Sequence, residues 1–222
     1  MSLVYDVYMI TQIINWLFPE KCTVCNINGS YICLPCLSTC KNALGAPETW
    51  IVSLFSYKDK AIKQAIWAIK FHGHFCAADA FGELLGDRAH FMLNQNISDY
   101  ELQHEEIVII PIPPSKSGRQ KRGYNQTNMI AHALFENASF NAKVEKNAIE
   151  KIKVTERQAT IHNRELRLTN MDGAFIARPE KVSGRIILLV DDVTTTGATL
   201  RDARRALLSA GARYVFAITI AH

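Results

Sequence analysis

Three short aliphatic runs dominate the hydrophobic pattern: Ile107-Val108-Ile109-Ile110, Ile186-Ile187-Leu188-Leu189-Val190, and the segment from Arg213 to Ile220. A strand with one wet face alternates apolar and polar positions, so unbroken β-branched runs predict strands buried on both faces of a parallel sheet. Trp50 to Tyr57 and Lys143 to Lys153 read as further strands. Between these runs the spacing becomes helical. In Lys60 to Phe71 the residues Ile62, Ala65, Ile66 and Ile69 share one face, and Phe71-His72-Gly73 ends the helix with Lys70 at its exit. Ala77 to Leu93 is expected as one helix with Gly86 inside it, Asn94 to Glu106 as a polar connection, and Asn125 to Phe135 as another helix. Leu200, Ala203, Ala206, Leu207 and Ala210 form a last apolar stripe, with Gly211 where a C-terminal glycine belongs. Strands alternating with helices predict an α/β fold, a parallel sheet flanked by helices.

The second run leads directly into chemistry. Asp191 and Asp192 follow it, and then Thr194-Thr195-Thr196-Gly197-Ala198-Thr199 precede the last helix. Free N–H groups and the dipole at a helix start attract an anion, threonine hydroxyls add donors, and Gly197 permits close backbone approach. The two carboxylates would repel a phosphate and suit vicinal hydroxyls or a divalent cation beside it. A phosphate next to a diol describes a ribose 5-phosphate. A plain helix cap needs one acid, not two acids and four hydroxyls. A nucleotide P-loop and a dinucleotide fingerprint are both excluded by the lack of Gly-Lys-Thr/Ser and of spaced glycines.

Four of the six cysteines fall in two Cys-x-x-Cys pairs, Cys22/Cys25 and Cys33/Cys36, separated by a short turn. Two facing pairs can close a tetrahedron of thiolates around a structural Zn2+ and so fold a module too small for a core of its own. A redox pair would need one motif, and disulfides belong to secreted chains. Cys40 is a poorer-spaced substitute ligand, and Cys76 reads as a buried or idle thiol rather than a ligand. His72 and His74 lack a third ligand and read as a surface loop. Lys41 to Thr49, with Gly45 and Pro47, reads as a linker, which divides the chain into an N-terminal helix and four-cysteine module (1–45) and a larger domain (46–222).

Composition narrows the field further. The 222 residues are 48% hydrophobic and 21% charged with a net charge of +4, which fits a folded core and excludes a polycation. Met1 to Phe18 is apolar but carries Asp6, Gln12 and Asn15 and lacks a basic leader. It is expected as an amphipathic helix packed on the protein rather than a signal peptide or a transmembrane segment; peripheral membrane contact is the alternative, and the location expected is cytoplasmic. Local basic stretches carry the remaining charge. Ser115, Lys116, Arg119, Lys121 and Arg122 lie in a loop after the first aliphatic run, on the sheet edge where doubly wound folds collect ligands, and suit a pyrophosphate together with Lys70 and Arg164. Thr155 to Arg167 is cationic with little to bury and reads as a hood that closes over a phosphate-rich ligand.

The aliphatic strand, Asp191-Asp192 and the Thr/Gly loop together resemble the motif by which type I phosphoribosyltransferases bind phosphoribosyl pyrophosphate (PRPP). The wider pattern resembles the competence protein ComF (ComFC/GntX) family. Its Pro-x-Pro to Arg-Gly-Tyr/Phe-Asn-Gln block is matched by Pro111, Pro113, Arg119, Arg122, Gly123, Asn125 and Gln126. Its later positions are matched by Thr155, Gln158, Arg164, Asn170 and Phe175. The resemblance implies a type I phosphoribosyltransferase fold with an N-terminal zinc module, and a part in uptake of single-stranded DNA during natural transformation. It implies PRPP with Mg2+ as ligand, the 5-phosphate on Thr195 to Thr199 and the hydroxyls on Asp191 and Asp192. Competence proteins such as a ComF-type helicase, and single-stranded DNA, are the implied partners. Two classes stay open: an enzyme releasing pyrophosphate to an acceptor, and a non-catalytic module that holds single-stranded DNA or competence proteins.

Overall fold

The computed structural model describes residues 20–45, 48–114, 125–152 and 174–222. The N-terminal segment to Phe18, the basic loop at 115–122, Arg164 and the hood at 155–167 lie outside the described residues. The elements, in order, are α1 (Leu34–Leu37), β1 (Ile51–Phe55), α2 (Lys60–His72), α3 (Phe75–Asp79), α4 (Gly82–Asn96), α5 (Asp99–His104), β2 (Ile107–Pro111) and α6 (Gln126–Glu136). They continue with β3 (Ala142–Val144), β4 (Ile149–Lys151), β5 (Phe175–Ala177), α7 (Pro179–Val182), β6 (Ile186–Val193), α8 (Ala198–Ser209) and β7 (Tyr214–Ala221).

Five strands form one sheet in the order β1-β7-β6-β2-β3, every neighbouring pair parallel. β4 and β5 pair antiparallel in a separate ribbon. The aliphatic runs fill the middle of the sheet, and alternate residues enter two different clusters. Ile186, Leu188 and Val190 share one cluster with Ile62, Ile66 and Ile69 of α2, Ala78 of α3, Phe81 of the turn after it, Leu85 of α4 and Ile130 of α6. Ile187 and Leu189 pack on the other face with Leu200, Ala203 and Leu207 of α8 and with Ile149 and Phe175 of the ribbon. Ile186 to Val190 are all fully buried, each contributing roughly 1.5–3 kcal/mol of transfer free energy, which explains a run with no polar member.

Four expectations change. The helix expected over Ala77 to Leu93 is two, because the chain turns at Ala80-Phe81 to bury Phe81 completely. Gly86 has a steric reason: a Cβ there would lie 2.3 Å from the Asn137 carbonyl oxygen, so α4 rests directly on the backbone after α6. Asn94 to Glu106 includes the short helix α5, started by a capping box between Ser98 and Glu101. Lys143 to Lys153 is not one strand: β3 joins the sheet and β4 the ribbon. The four-cysteine module is also not coreless. Cys22, Ile32, Leu37 and Cys40 are buried in the same cluster as Ile62, Ile66 and Ile69 of α2. Among the described residues no helix is long and apolar enough to cross a membrane.

Candidate functional site

The site grows from the carboxyl end of β6, the central strand. Backbone pairing with β7 continues past Val190 through Asp191 and Val193, so the two acids belong to the strand itself and not to the loop after it. Strand geometry then sends their side chains to opposite faces. Asp192 follows the parity of Leu188 and Val190 and enters the layer of α2 and α6, where it is only 5% exposed. Asp191 follows Leu189 toward the layer of α8 and the β4–β5 ribbon.

Each environment has a physical signature. Both oxygens of Asp192 are occupied: Oδ1 accepts from the Val193 amide at 2.7 Å, and Oδ2 accepts from Lys70 Nζ at 3.0 Å and from Gln126 Nε2 at 3.4 Å. A buried carboxylate without such partners would be expelled or neutralised, so α2 and α6 are what allow it here. Asp191 is half-buried, and its Oδ1 accepts from the Asp192 amide at 2.9 Å. Desolvation and then the charge of Asp192 push the Asp191 carboxyl up to about 8, against the Asp192 amide and the charges of Lys70 and Lys151. The sign of the pH effect follows. A raised acid contributes stability fully below its unfolded value, roughly 3.9, and that contribution is lost as pH rises through about 8. Melting curves from pH 5 to 9 should therefore decline more steeply for wild type than for Asp191→Asn; parallel declines would contradict this placement of the carboxyl.

The threonine loop follows at the same edge. Thr194 is buried, its amide donating to the Ala221 carbonyl at 3.0 Å and its own carbonyl lying 3.2 Å from His222 Nδ1. Gly197 caps α8 with φ 75°, a left-handed conformation that favours glycine. Thr195, Thr196 and Thr199 are exposed around the helix start, where the first-turn amides lack helical partners. Arg201, one turn into α8, donates to the Thr196 carbonyl at 2.5 Å and holds the loop from behind.

Asp191, Asp192, the loop Thr194 to Thr199 and Lys70 are thus brought to one edge. Lys70, a candidate for the pyrophosphate side by its place in the sequence, pairs with Asp192 in the structure. Ser115, Lys116, Arg119, Arg122 and Arg164 lie outside the described residues. Their described flanks reach the edge: the Ile112 amide donates to the Val190 carbonyl at 2.9 Å, and Gln126 touches Asp192. Gln126 falls on the ComF-like block of the sequence, whereas Arg201 and His222 lie outside every motif. Arg201 was legible as a cation five residues after Thr196; His222 carries no local signal.

The cysteines form a second cluster. The sulfurs of Cys22, Cys25, Cys33 and Cys36 all lie within 4.8 Å of one another, and zinc–thiolate bonds of about 2.3 Å in a tetrahedron need sulfurs about 3.8 Å apart. Asn26, at φ 62°, turns the chain after Cys25, and Cys33 is the N-cap of α1, which carries Cys36. The Cys22 sulfur accepts from the Cys33 amide at 3.5 Å, a donor that favours the thiolate a metal needs. The donor set fits zinc. Cys40 is outside this group; its sulfur donates to the Cys36 carbonyl at 3.4 Å, and burial with the charge of Asp59 raises it to about 11.

Among relatives, the chain is similar to competence protein ComFC of Streptococcus pneumoniae, 29% identical over 198 residues that cover 88% of this chain and 78% of the relative. It is similar to competence protein ComFC of Bacillus subtilis, 30% identical over 165 residues, 72% of this chain and 58% of the relative's length. DNA utilization protein YhgH of Escherichia coli K12 is 27% identical over 197 residues, 87% of this chain and 80% of that protein. Residues 93–222 match the family model described as the phosphoribosyl transferase domain. That stretch is more than half of the chain and contains β2, β6, α8 and β7, the strands and helix that build the acidic edge, so the chain belongs to the phosphoribosyl transferase domain family.

Proposed function

We propose that the protein binds PRPP at the carboxyl edge of β6 and acts in the handling of incoming DNA. The observation that carries the reading is the pair Asp191 and Asp192 on opposite faces of one strand, immediately ahead of a glycine-capped helix start ringed by Thr195, Thr196 and Thr199. The amides and hydroxyls of Thr195 to Thr199 suit the 5-phosphate, and the acids suit the ribose 2- and 3-hydroxyls. Mg2+, when bound, would neutralise charge on the pyrophosphate; Asp191 and Asp192 are the residues that would hold it beside the diol. Asp192 can take that role only when Lys70 lets go of it, and the released ammonium then adds to the charge that meets the pyrophosphate together with Ser115, Lys116, Arg119, Arg122 and Arg164. Transfer to an acceptor would form a bond to C1 as the C1–oxygen bond breaks, pyrophosphate leaving with the electron pair and the acceptor losing a proton. A cationic leaving-group side and an anionic ring side both favour that charge separation.

The four cysteines hold a structural Zn2+, closed to substrate because all four positions are thiolates. The part in DNA uptake beside competence proteins rests on the names carried by the similar proteins and on the ComF-like pattern of the sequence; a place in the cytoplasm rests on the character of Met1 to Phe18. The test is thermal stability with ligands. PRPP and Mg2+ together at about 100 times Kd should add roughly 2.7 kcal/mol, a rise of a few degrees for a chain of this size, whereas AMP or an oligonucleotide without PRPP should not reproduce it. A rise with single-stranded oligonucleotide alone, indifferent to PRPP, would replace this reading with the DNA-holding module. Release of pyrophosphate on adding candidate amines or bases then separates an enzyme from a PRPP sensor.

A further inference from the structure

We propose that the four-cysteine module is the positioning device of the acidic edge, acting by holding both ends of α2 and so setting where Lys70 meets Asp192. The inference rests on the PRPP-site reading above for its effect on ligand, and on geometry alone for the clamp.

The N-terminal hold is Asp59. One oxygen caps α2, Oδ1 accepting from the amides of Ala61 at 2.9 Å and Ile62 at 3.3 Å. The other oxygen accepts from the amide of Lys41 at 3.1 Å, one residue past Cys40. A single carboxylate therefore ties the exit of the module to the first turn of the helix. The C-terminal hold is His74, just beyond the Gly73 cap at φ 61°. Its Nδ1 lies 3.4 Å from Glu20 Oε1, and its ring packs on Tyr31 with centroids 5.2 Å apart. Glu20 and Tyr31 belong to the module: the Glu20 carbonyl accepts from Gly29 and the Tyr31 carbonyl from Thr23. Between the two holds, Cys22, Ile32 and Leu37 belong to the same buried cluster as Ile62, Ile66 and Ile69 of α2.

Lys70 sits in the last turn of α2, three residues before the Gly73 cap, and spans to Asp192 at 3.0 Å. A flexible ammonium reaches one oxygen reliably only from a fixed base, because pinning a lysine costs side-chain entropy and small displacements at a reacting site are costly. Fixing both ends of the helix supplies that base. A module whose only task was to fold itself would not need contacts at both ends of a helix that carries a site residue.

The test is a cycle in the full, zinc-loaded protein. His74→Ala removes the C-terminal hold without touching a thiolate, and Glu20→Ala removes the polar contact from the other side should the first variant fold poorly. Zinc content should equal that of wild type, amides of Ile66 to Lys70 should exchange faster, and binding of PRPP with Mg2+ should weaken about 3- to 30-fold. In a Lys70→Met background the same substitution should change binding less than about twofold, while His74→Phe, which restores ring packing on Tyr31, should recover part of the loss. Unchanged amide exchange in α2 overturns the clamp, and so does an equal loss of affinity with and without Lys70. If wild type binds no PRPP at all, the proposed function fails separately and the exchange measurement still decides the clamp.

Discussion

Replacing Asp191 and Asp192 together with asparagine abolishes Mg2+-dependent PRPP binding, with a loss of at least about 100-fold, and leaves zinc content at the wild-type level. Asparagine keeps shape and hydrogen-bonding capacity but removes the charge that a divalent cation requires. Two carboxylate contacts, each contributing on the order of 1.5–3 kcal/mol as charge-assisted bonds, account for that size of loss. The four cysteines share no ligand with the acids, so the metal count is the internal control. The single variants separate the two roles. Asp192→Asn strands Lys70, whose Nζ is 3.0 Å away and whose side chain is 29% exposed, and should also lower stability. Asp191→Asn relieves an acid raised to about 8 and should not lower stability above that pH. PRPP affinity unaltered in the double variant would remove the acids from the site.

Cys22→Ser should have the largest effect on the fold. Cys22 is fully buried, accepts from the Cys33 amide at 3.5 Å, and belongs both to the thiolate cluster and to the apolar cluster around α2. Structural zinc contributes roughly 10–16 kcal/mol in isolated finger peptides; a module that shares the domain's core depends on it less, so a loss of several kcal/mol with the zinc is expected. Cys40→Ser should keep the zinc, because its sulfur bonds a carbonyl and lies outside the group of four. Metal analysis beside thermal unfolding checks both. One zinc per chain and an unchanged melting temperature in Cys22→Ser would contradict the assignment.

Much of this architecture is readable in the residues, for reasons that also explain what is not. A strand covered on both faces must be apolar throughout, so Ile107 to Ile110 and Ile186 to Val190 announce a parallel sheet. Paired cysteines at two-residue spacing announce a thiolate cluster because few other arrangements use them. The divergence of Asp191 and Asp192 was hidden, since charge after an apolar run reads as the end of a strand when the backbone ladder in fact continues to Val193. The turn at Ala80-Phe81 is marked in the sequence only by Gly82 just after it, inside a stretch that otherwise reads as helix; complete burial of Phe81 accompanies it. Lys70 and Asp192 are joined only through the fold, far apart in the chain, and no local pattern could pair them. The same holds for His74 with Glu20, a contact that turns an apparent surface-loop histidine into a brace.

The central claim is that the acidic edge of β6 and the loop after it bind PRPP with Mg2+. Isothermal titration of the zinc-loaded protein with PRPP, with magnesium present and then omitted, tests it most directly. The account predicts saturable binding at one site per chain when Mg2+ is present and none without it. A folded, zinc-loaded protein that gives no saturable binding to PRPP with Mg2+ would contradict it.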